Sequence, residues 1–246
     1  MSQSQAASPR ETCSSIIELR QYTLRPGKRD ILIDIFEREF IEAQESAGIE
    51  IIGQFRDLDN PDRFVWLRGY PDMSTRPRTL EAFYTSAAWK ARRDEINEIL
   101  VDYSNVLLLR PAWPGSGFPP SNRPANRVPM GLVTATICPL NSTPGDEFLE
   151  FFNDTLKPTL TEGGAPCLAA FVNELSANNY PRLPLREGEN VFVWFTFFAT
   201  QISYDRHISA LTRSSSWPHL RENLQEWLIK PFETLKLNPA RRSRLG

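Results

Sequence analysis

The sequence predicts an α+β protein: two tandem ferredoxin-like (βαββαβ) domains packed sheet to sheet as an intrachain pseudo-dimeric α+β barrel. Three observations lead there. The chain repeats itself: "FVW" at 64–66 returns at 192–194, "AAWKARRDEI" around Trp89 aligns with "SSWPHLRENL" around Trp217, and "VLLLRPA" with "TLKLNPA", all at an offset of 128. Each copy orders its elements β-α-β-β-α-β, the split βαβ arrangement. An antiparallel four-stranded sheet with both helices on one face leaves the other bare, and a second copy in the same chain can cover it.

The elements of the first copy follow from pattern. "SIIELRQYTL" reads as a strand with partial alternation. "PGKRDILIDIFEREFIEAQESAG" carries Ile31, Ile35, Phe36, Phe40 and Ala43 at helical spacing and ends at Gly48. "IEIIGQF" and "RFVWLRGY" are strands joined by the turn-rich "RDLDNPD", a hairpin with a longish loop. "RPRTLEAFYTSAAWKARRDEINEIL" is a second helix with a break expected near Thr85 and Ser86, and "NVLLLRP" is the last strand. The second copy aligns upstream at offsets of 118 and 116, and the segment "NNYPRLPLREGE" (178–189) absorbs most of the difference as an inserted loop.

These matches set the boundaries: a disordered lead over 1–15, a first domain over 16–112, a Pro-rich linker over 113–129, a diverged second domain over 130–240 and a frayed tail over 241–246. Six of the nineteen residues in "PAWPGSGFPPSNRPANRVP" are proline, so that segment should run extended with no core of its own. With 28 Lys+Arg against 30 Asp+Glu the net charge is −2, and no global field recommends nucleic acid as a partner. The tail arginines Arg241, Arg242 and Arg244 read as a frayed end rather than a binding arm. Cys13, Cys138 and Cys167 are an odd count without metal-ligand spacing, which argues for a reducing compartment and a cytoplasmic location. The start lacks the apolar run of a signal peptide, so none is expected, and no run approaches the length of a membrane span.

A duplication allows one internal comparison. Along one side of its first strand the first copy places Glu18, Arg20 and Tyr22, and along one side of its third Trp66 and Arg68; the second copy has Thr136, Cys138 and Leu140, then Trp194 and Thr196. The tryptophan stays and the charges go. Arg68 therefore belongs with Glu18 or Arg20, because an isolated buried guanidinium is costly. Two arginines to one glutamate leave a spare cation suited to a carboxylate, phenolate or enolate, unless the set is a self-satisfied ionic cluster or an exposed rim. Gln44, Gln54 and Tyr84 are likewise replaced by Leu160, Ala170 and Thr212, and Trp89 adds an aromatic wall. Arg93, kept as Arg221, reads first as structural and is carried as a lining residue of the same pocket. Two histidines, His207 and His219, lie in the second copy without a metal cluster, and no P-loop, GxGxxG or GxSxG motif is present.

"ELRQYTLRPGKRD", "FIEAQESAG", "IIGQFRDLDNPDRFVWLRGYPDM", "AAWKARRD" and "NVLLLRPA" closely resemble bacterial members of the NIPSNAP family, within the dimeric α+β barrel superfamily. The resemblance covers 16–112, and 131–240 looks like a diverged second NIPSNAP-like domain. It implies the same barrel. The family has no general, settled activity, whereas the wider superfamily includes cofactor-independent monooxygenases acting on polycyclic phenols, lactone isomerases, polyketide cyclases and haem enzymes. Members often carry a histidine in "WKAHRD" where this chain has Arg92, so no base is expected there.

The leading expectation is a small-molecule enzyme of secondary metabolism, without metal or nucleotide cofactor, acting on a hydrophobic ionisable compound of aromatic or polyketide type. Arg20 and Arg68 would hold an enolate or phenolate, Glu18 would orient them or move a proton, and Tyr22, Gln44, Gln54, Trp66, Tyr84, Trp89 and Arg93 would line the site. Oxygenation is preferred over isomerisation or cyclisation. The rivals are a noncatalytic binding or scaffold protein and a haem protein using His207 or His219. A homodimer of the pseudo-dimer is left open.

Overall fold

The computed structural model describes residues 14–120 and 129–246. Strand β1 (Ile16–Leu24) leads into α1 (Arg29–Ile35), a π-helical turn (Phe36–Phe40) and α2 (Ile41–Ser46). Gly48, at φ +90°, ends this rod in the left-handed region that glycine enters without strain. Then come β2 (Glu50–Asp57), β3 (Arg63–Tyr70), α3 (Arg76–Tyr84), α4 (Ala87–Ile99) and β4 (Leu100–Pro111). The expected break between the last two helices is real: Ser86 caps α4 by accepting from the Trp89 amide.

The second half repeats this order with β5 (Leu132–Leu140), α5 (Asp146–Glu150), a π-helical turn (Phe151–Leu156), α6 (Lys157–Glu162), β6 (Cys167–Asn173), β7 (Asn190–Phe198), α7 (Gln201–Arg213), α8 (Trp217–Glu226) and β8 (Glu233–Pro239). All eight strands form one closed antiparallel barrel in the order β1-β3-β2-β8-β5-β7-β6-β4. Two short seams close it. Phe55, Arg56 and Asp57 pair with Pro239, Asn238 and Leu237, and Leu109, Arg110 and Pro111 pair with Asn173, Val172 and Phe171.

Alternation along each strand assigns two faces. Ile17, Leu19, Val65, Leu67, Leu107 and Leu109 point into the barrel and meet Val133, Ala135, Ile137, Val191, Val193 and Phe195 from the other half. The barrel interior is thus a hydrophobic core shared by the two halves. The opposite faces are roofed by helices, each roof with its own apolar cluster, so β1 is buried on both sides along almost its whole length, its charged Glu18 and Arg20 included.

Three boundary expectations are corrected. The lead does not extend to residue 15 in disorder, because Ser14 is buried and donates to Glu50 Oε2 at 2.6 Å. The start of the linker is packed: the Ala112 amide donates to the Ala170 carbonyl, the Ala170 amide donates to the Ser116 carbonyl, and Phe118 sits in the barrel core against Phe171 and Phe195 at ring distances of 5.0 and 4.9 Å. The tail is held as well. The Arg242 amide donates to Glu37 at 2.7 Å, its guanidinium pairs with Glu42, Arg244 pairs with Glu45 at 2.5 Å, and Leu245 joins the barrel core. Acidic side chains on the rod above β2 and an apolar hole beside it supply the reason. Cys13 and residues 121–128 of the linker lie outside the described residues.

Candidate functional site

The site begins with strand register. Antiparallel pairing sets Glu18 opposite Arg68 and Arg20 opposite Trp66, so all four, with Tyr22, share the helix-facing side of the sheet. The roof adds Gln44 from α2 and Arg76 from α3. Arg76 is placed by a local turn, in which the Asp72 carboxylate accepts from the Thr75 amide and the Ser74 hydroxyl and Pro77 follows at the start of the helix.

Glu18, Arg20, Arg68 and Arg76 are all completely buried. Glu18 Oε2 accepts from Arg20 Nη1 at 2.5 Å and Arg68 Nε at 2.7 Å, while Oε1 accepts from Arg76 Nε at 2.8 Å. One carboxylate therefore serves three guanidiniums, leaving two buried positive charges uncompensated (three minus one). Aromatic rings sheath them: the Arg68 head lies 5.0 Å from the Trp66 ring centre and 5.8 Å from that of Tyr70, and Arg20 lies 5.3 and 5.5 Å from Tyr22 and Trp66. Burial would raise the Glu18 carboxyl, but the charges of Arg68, Arg20 and Arg76 outweigh it and hold that group well below the usual carboxylate range. Arg20 Nη2, Arg68 Nη2 and the Tyr70 hydroxyl are buried with no hydrogen-bond partner.

Beside this cluster, between sheet and helices, lies a cavity of about 230 Å³. Phe36, Phe40, Phe64, Phe83, Tyr84 and Trp89 form its apolar wall, and the buried Tyr22, Gln44 and Trp66 its polar one. The exposed Arg93 and Arg182 stand at the rim. Part of the cover comes from the other half. The inserted loop after β6 sends Asn178 and Asn179 to accept from Arg76 Nη1 at 3.2 and 2.8 Å, and stacks Tyr180 on Tyr84 at 6.3 Å. The Tyr180 hydroxyl donates to Glu81 at 2.8 Å, closing the clasp.

Residues 17–113 match the NIPSNAP family model. The first half is a NIPSNAP domain. A NIPSNAP-like domain protein of Burkholderia xenovorans is 29% identical over 44% of this chain and 88% of its own, with a TM-score of 0.35. Two solved structures span nearly the whole chain. A candidate monooxygenase of Lactobacillus acidophilus NCFM covers 91% of this chain and 93% of its own at 13% identity and a TM-score of 0.52. An anthrone oxidase-like protein covers 92% and 91% at 10% identity and a TM-score of 0.53. Likeness at that identity concerns the fold: a closed α+β barrel. No curated protein matches the chain.

Within the NIPSNAP domain the structure brings Glu18, Arg20 and Arg68 together, and it places Tyr22, Gln44, Trp66, Tyr84, Trp89 and Arg93 around the cavity. It corrects two expectations. Arg20 and Arg68 do not line the cavity; Tyr22, Gln44 and Trp66 stand between them and it, because a guanidinium drawn onto Glu18 cannot also reach past the aromatic layer. Gln54 shares the face, opposite Trp66, yet lies away from the cavity with both side-chain polar atoms buried and unpartnered. Arg92 pairs with Glu39 and Glu95 at the surface.

Sequence reasoning missed Arg76 and the loop residues Asn178 to Tyr180. The signal for Arg76 was available, since its counterpart at the same offset of 128 is the uncharged Tyr204. The second half has a cavity of about 200 Å³ in the equivalent place, lined by Thr136, Leu160, Trp194, Thr196, Tyr204 and His207 among others, and no Asp, Glu, Lys or Arg borders it. His207 is buried with Nδ1 at 2.9 Å from the Gly163 carbonyl, and His219 is 82% exposed beside Glu222. Among the described residues no group of His, Cys, Asp and Glu is arranged to hold a metal, and no helix is long and apolar enough to cross a membrane.

Proposed function

We propose that this protein is a small-molecule enzyme working through its own side chains, without a metal or nucleotide cofactor, on a hydrophobic, ionisable compound of aromatic or polyketide type. One observation carries the reading: two uncompensated positive charges are buried directly behind the polar wall of an aromatic cavity. Such charge favours an anion in the cavity over its neutral parent, and a ligand that becomes a phenolate or enolate during reaction gains most where charge develops. Oxygenation, isomerisation and cyclisation all pass through that anion. Oxygenation stands first, since two neighbours of the same barrel fold bear monooxygenase and anthrone oxidase names. The framework is proposed as two tandem ferredoxin-like units, 16–112 and 130–240, in a cytoplasmic protein of secondary metabolism.

Native mass spectrometry of freshly purified protein, beside denaturing extraction, tests this. An apolar acid or phenol in the extract, absent from Arg68→Met protein, supports the reading and supplies the compound for turnover assays. A second reading, a noncatalytic binding or scaffold protein, is favoured by the completeness with which Glu18 gathers the arginines away from the cavity. It predicts that Arg68→Met lowers stability while no reaction of any captured compound is lost.

A further inference from the structure

The cavity's polar wall is defined by which hydrogens are left over. Arg20 Nε donates to the Tyr22 hydroxyl at 2.9 Å, so that oxygen acts as acceptor toward the cluster and its own proton is turned elsewhere. Arg68 Nη1 donates to Gln44 Oε1 at 3.2 Å. A guanidinium can only donate, so this contact settles an amide orientation that is otherwise ambiguous and leaves Gln44 Nε2 as the free end. Gln44 Nε2 and Trp66 Nε1 are both buried with no acceptor. Two buried nitrogens without an acceptor and one hydroxyl whose proton the cluster does not use thus belong to three residues that line one cavity, whereas buried donors are nearly always paired.

The second half lacks the same arrangement pair by pair. Arg20 and Tyr22 correspond to Cys138 and Leu140, and Arg68 and Gln44 correspond to Thr196 and Leu160. Each donor is absent together with the arginine that holds it. Trp66, which both arginines stack on but neither hydrogen-bonds, persists as Trp194.

We propose that the Tyr22 hydroxyl, Gln44 Nε2 and Trp66 Nε1 form an oxyanion hole for the phenolate or enolate oxygen of the ligand. Arg20 and Arg68 are then positioning residues that act through Tyr22 and Gln44 without touching the ligand. The proposal rests on the small-molecule reading above and names the groups that recognise the anion.

The test uses the full chain and two probes that share a nitroaromatic ring, 4-nitrophenol and nitrobenzene. Binding is followed by calorimetry, and the ionisation of bound nitrophenol by its visible absorbance against pH. The wild type should bind the phenolate about tenfold more tightly than the phenol, which lowers the apparent pKa of the bound probe by about one unit. Tyr22→Phe and Gln44→Leu should each weaken phenolate binding about tenfold while nitrobenzene affinity stays within about twofold. Arg68→Met should match Gln44→Leu, and the double variant should lose no more than either alone. Thermal melts establish that each variant is folded, and Tyr22→Phe is an independent arm should Gln44→Leu fail. A further tenfold loss from Arg68→Met in the Gln44→Leu background would mean that the arginine meets the ligand, overturning the inference and leaving the enzyme reading intact. Equal binding of both probes with no shift in nitrophenol ionisation would also overturn it, leaving an apolar pocket. Binding of neither probe would bring down the small-molecule reading and the inference with it.

Discussion

Replacing Glu18 by glutamine is the sharpest perturbation the structure offers. The change is nearly isosteric, but it removes the only carboxylate among Arg20, Arg68 and Arg76 and raises the buried charge from two to three. Removing one partner of a buried ion pair costs about 3–5 kcal/mol, and with three guanidiniums orphaned together the loss should reach the upper end, about 5 kcal/mol. That is comparable to the whole stability of a marginal domain, roughly 5–15 kcal/mol. In a chain of this size each kcal/mol moves the melting temperature by about 2–4 °C, so Glu18→Gln should melt about 10–20 °C below wild type. Differential scanning calorimetry reads this directly, with Thr136→Val at the matched position of the second half as a control expected to shift by only a few degrees. A Glu18→Gln protein melting within about 3 °C of wild type would refute the argument, because the charges would then be neutralised by something other than Glu18.

Because its neighbours depress the ionisation of Glu18, its stabilisation is complete above the ordinary carboxylate range and is lost only as pH falls through its lowered folded value. The melting gap between wild type and Glu18→Gln should therefore stay constant from pH 8 to about 5 and narrow only below about 4. Phe118→Ala, which empties the space between Phe171 and Phe195, should cost about 3–5 kcal/mol in denaturant titration, whereas a truly extended linker would register nothing. Asn178→Ala combined with Asn179→Ala removes two hydrogen bonds to a charged partner, each worth about 1.5–3 kcal/mol, and should speed tryptic cleavage at Arg182 or Arg186 at least several-fold without lowering the global melt by more than a few degrees. Burial pushes the Cys138 thiol up, so a thiol reagent should reach it only on unfolding.

Much of this architecture was legible because the chain states it twice. The repeated "FVW" and the tryptophan helices gave element order, and element order restricted the topology to few options. What could not be read was which face of β1 carries its charges. Period-two alternation separates Ile17 and Leu19 from Glu18 and Arg20, but both sides of that strand are internal, one under the barrel core and one under helices. Composition likewise labelled 113–129 and 241–246 as loose, since prolines and arginines are local signals while the seats of Phe118 and Leu245 are made by strands distant in sequence. Arg76 shows a different failure: the comparison that singled out Arg68 applied equally to it, but a residue at a helix start does not stand out as a charge in a strand does.

The loop that clasps Arg76 belongs to one half and serves the other. A barrel built from two identical subunits carries each feature twice by symmetry, and any change to one site is imposed on the other. Joining the halves in one polypeptide lifts that constraint. Here one half carries the ionic cluster, and the other has threonine and cysteine at the matched positions and a segment that reaches across to the first half. The result is a division of labour between chemistry and enclosure that a symmetric assembly has no means to encode.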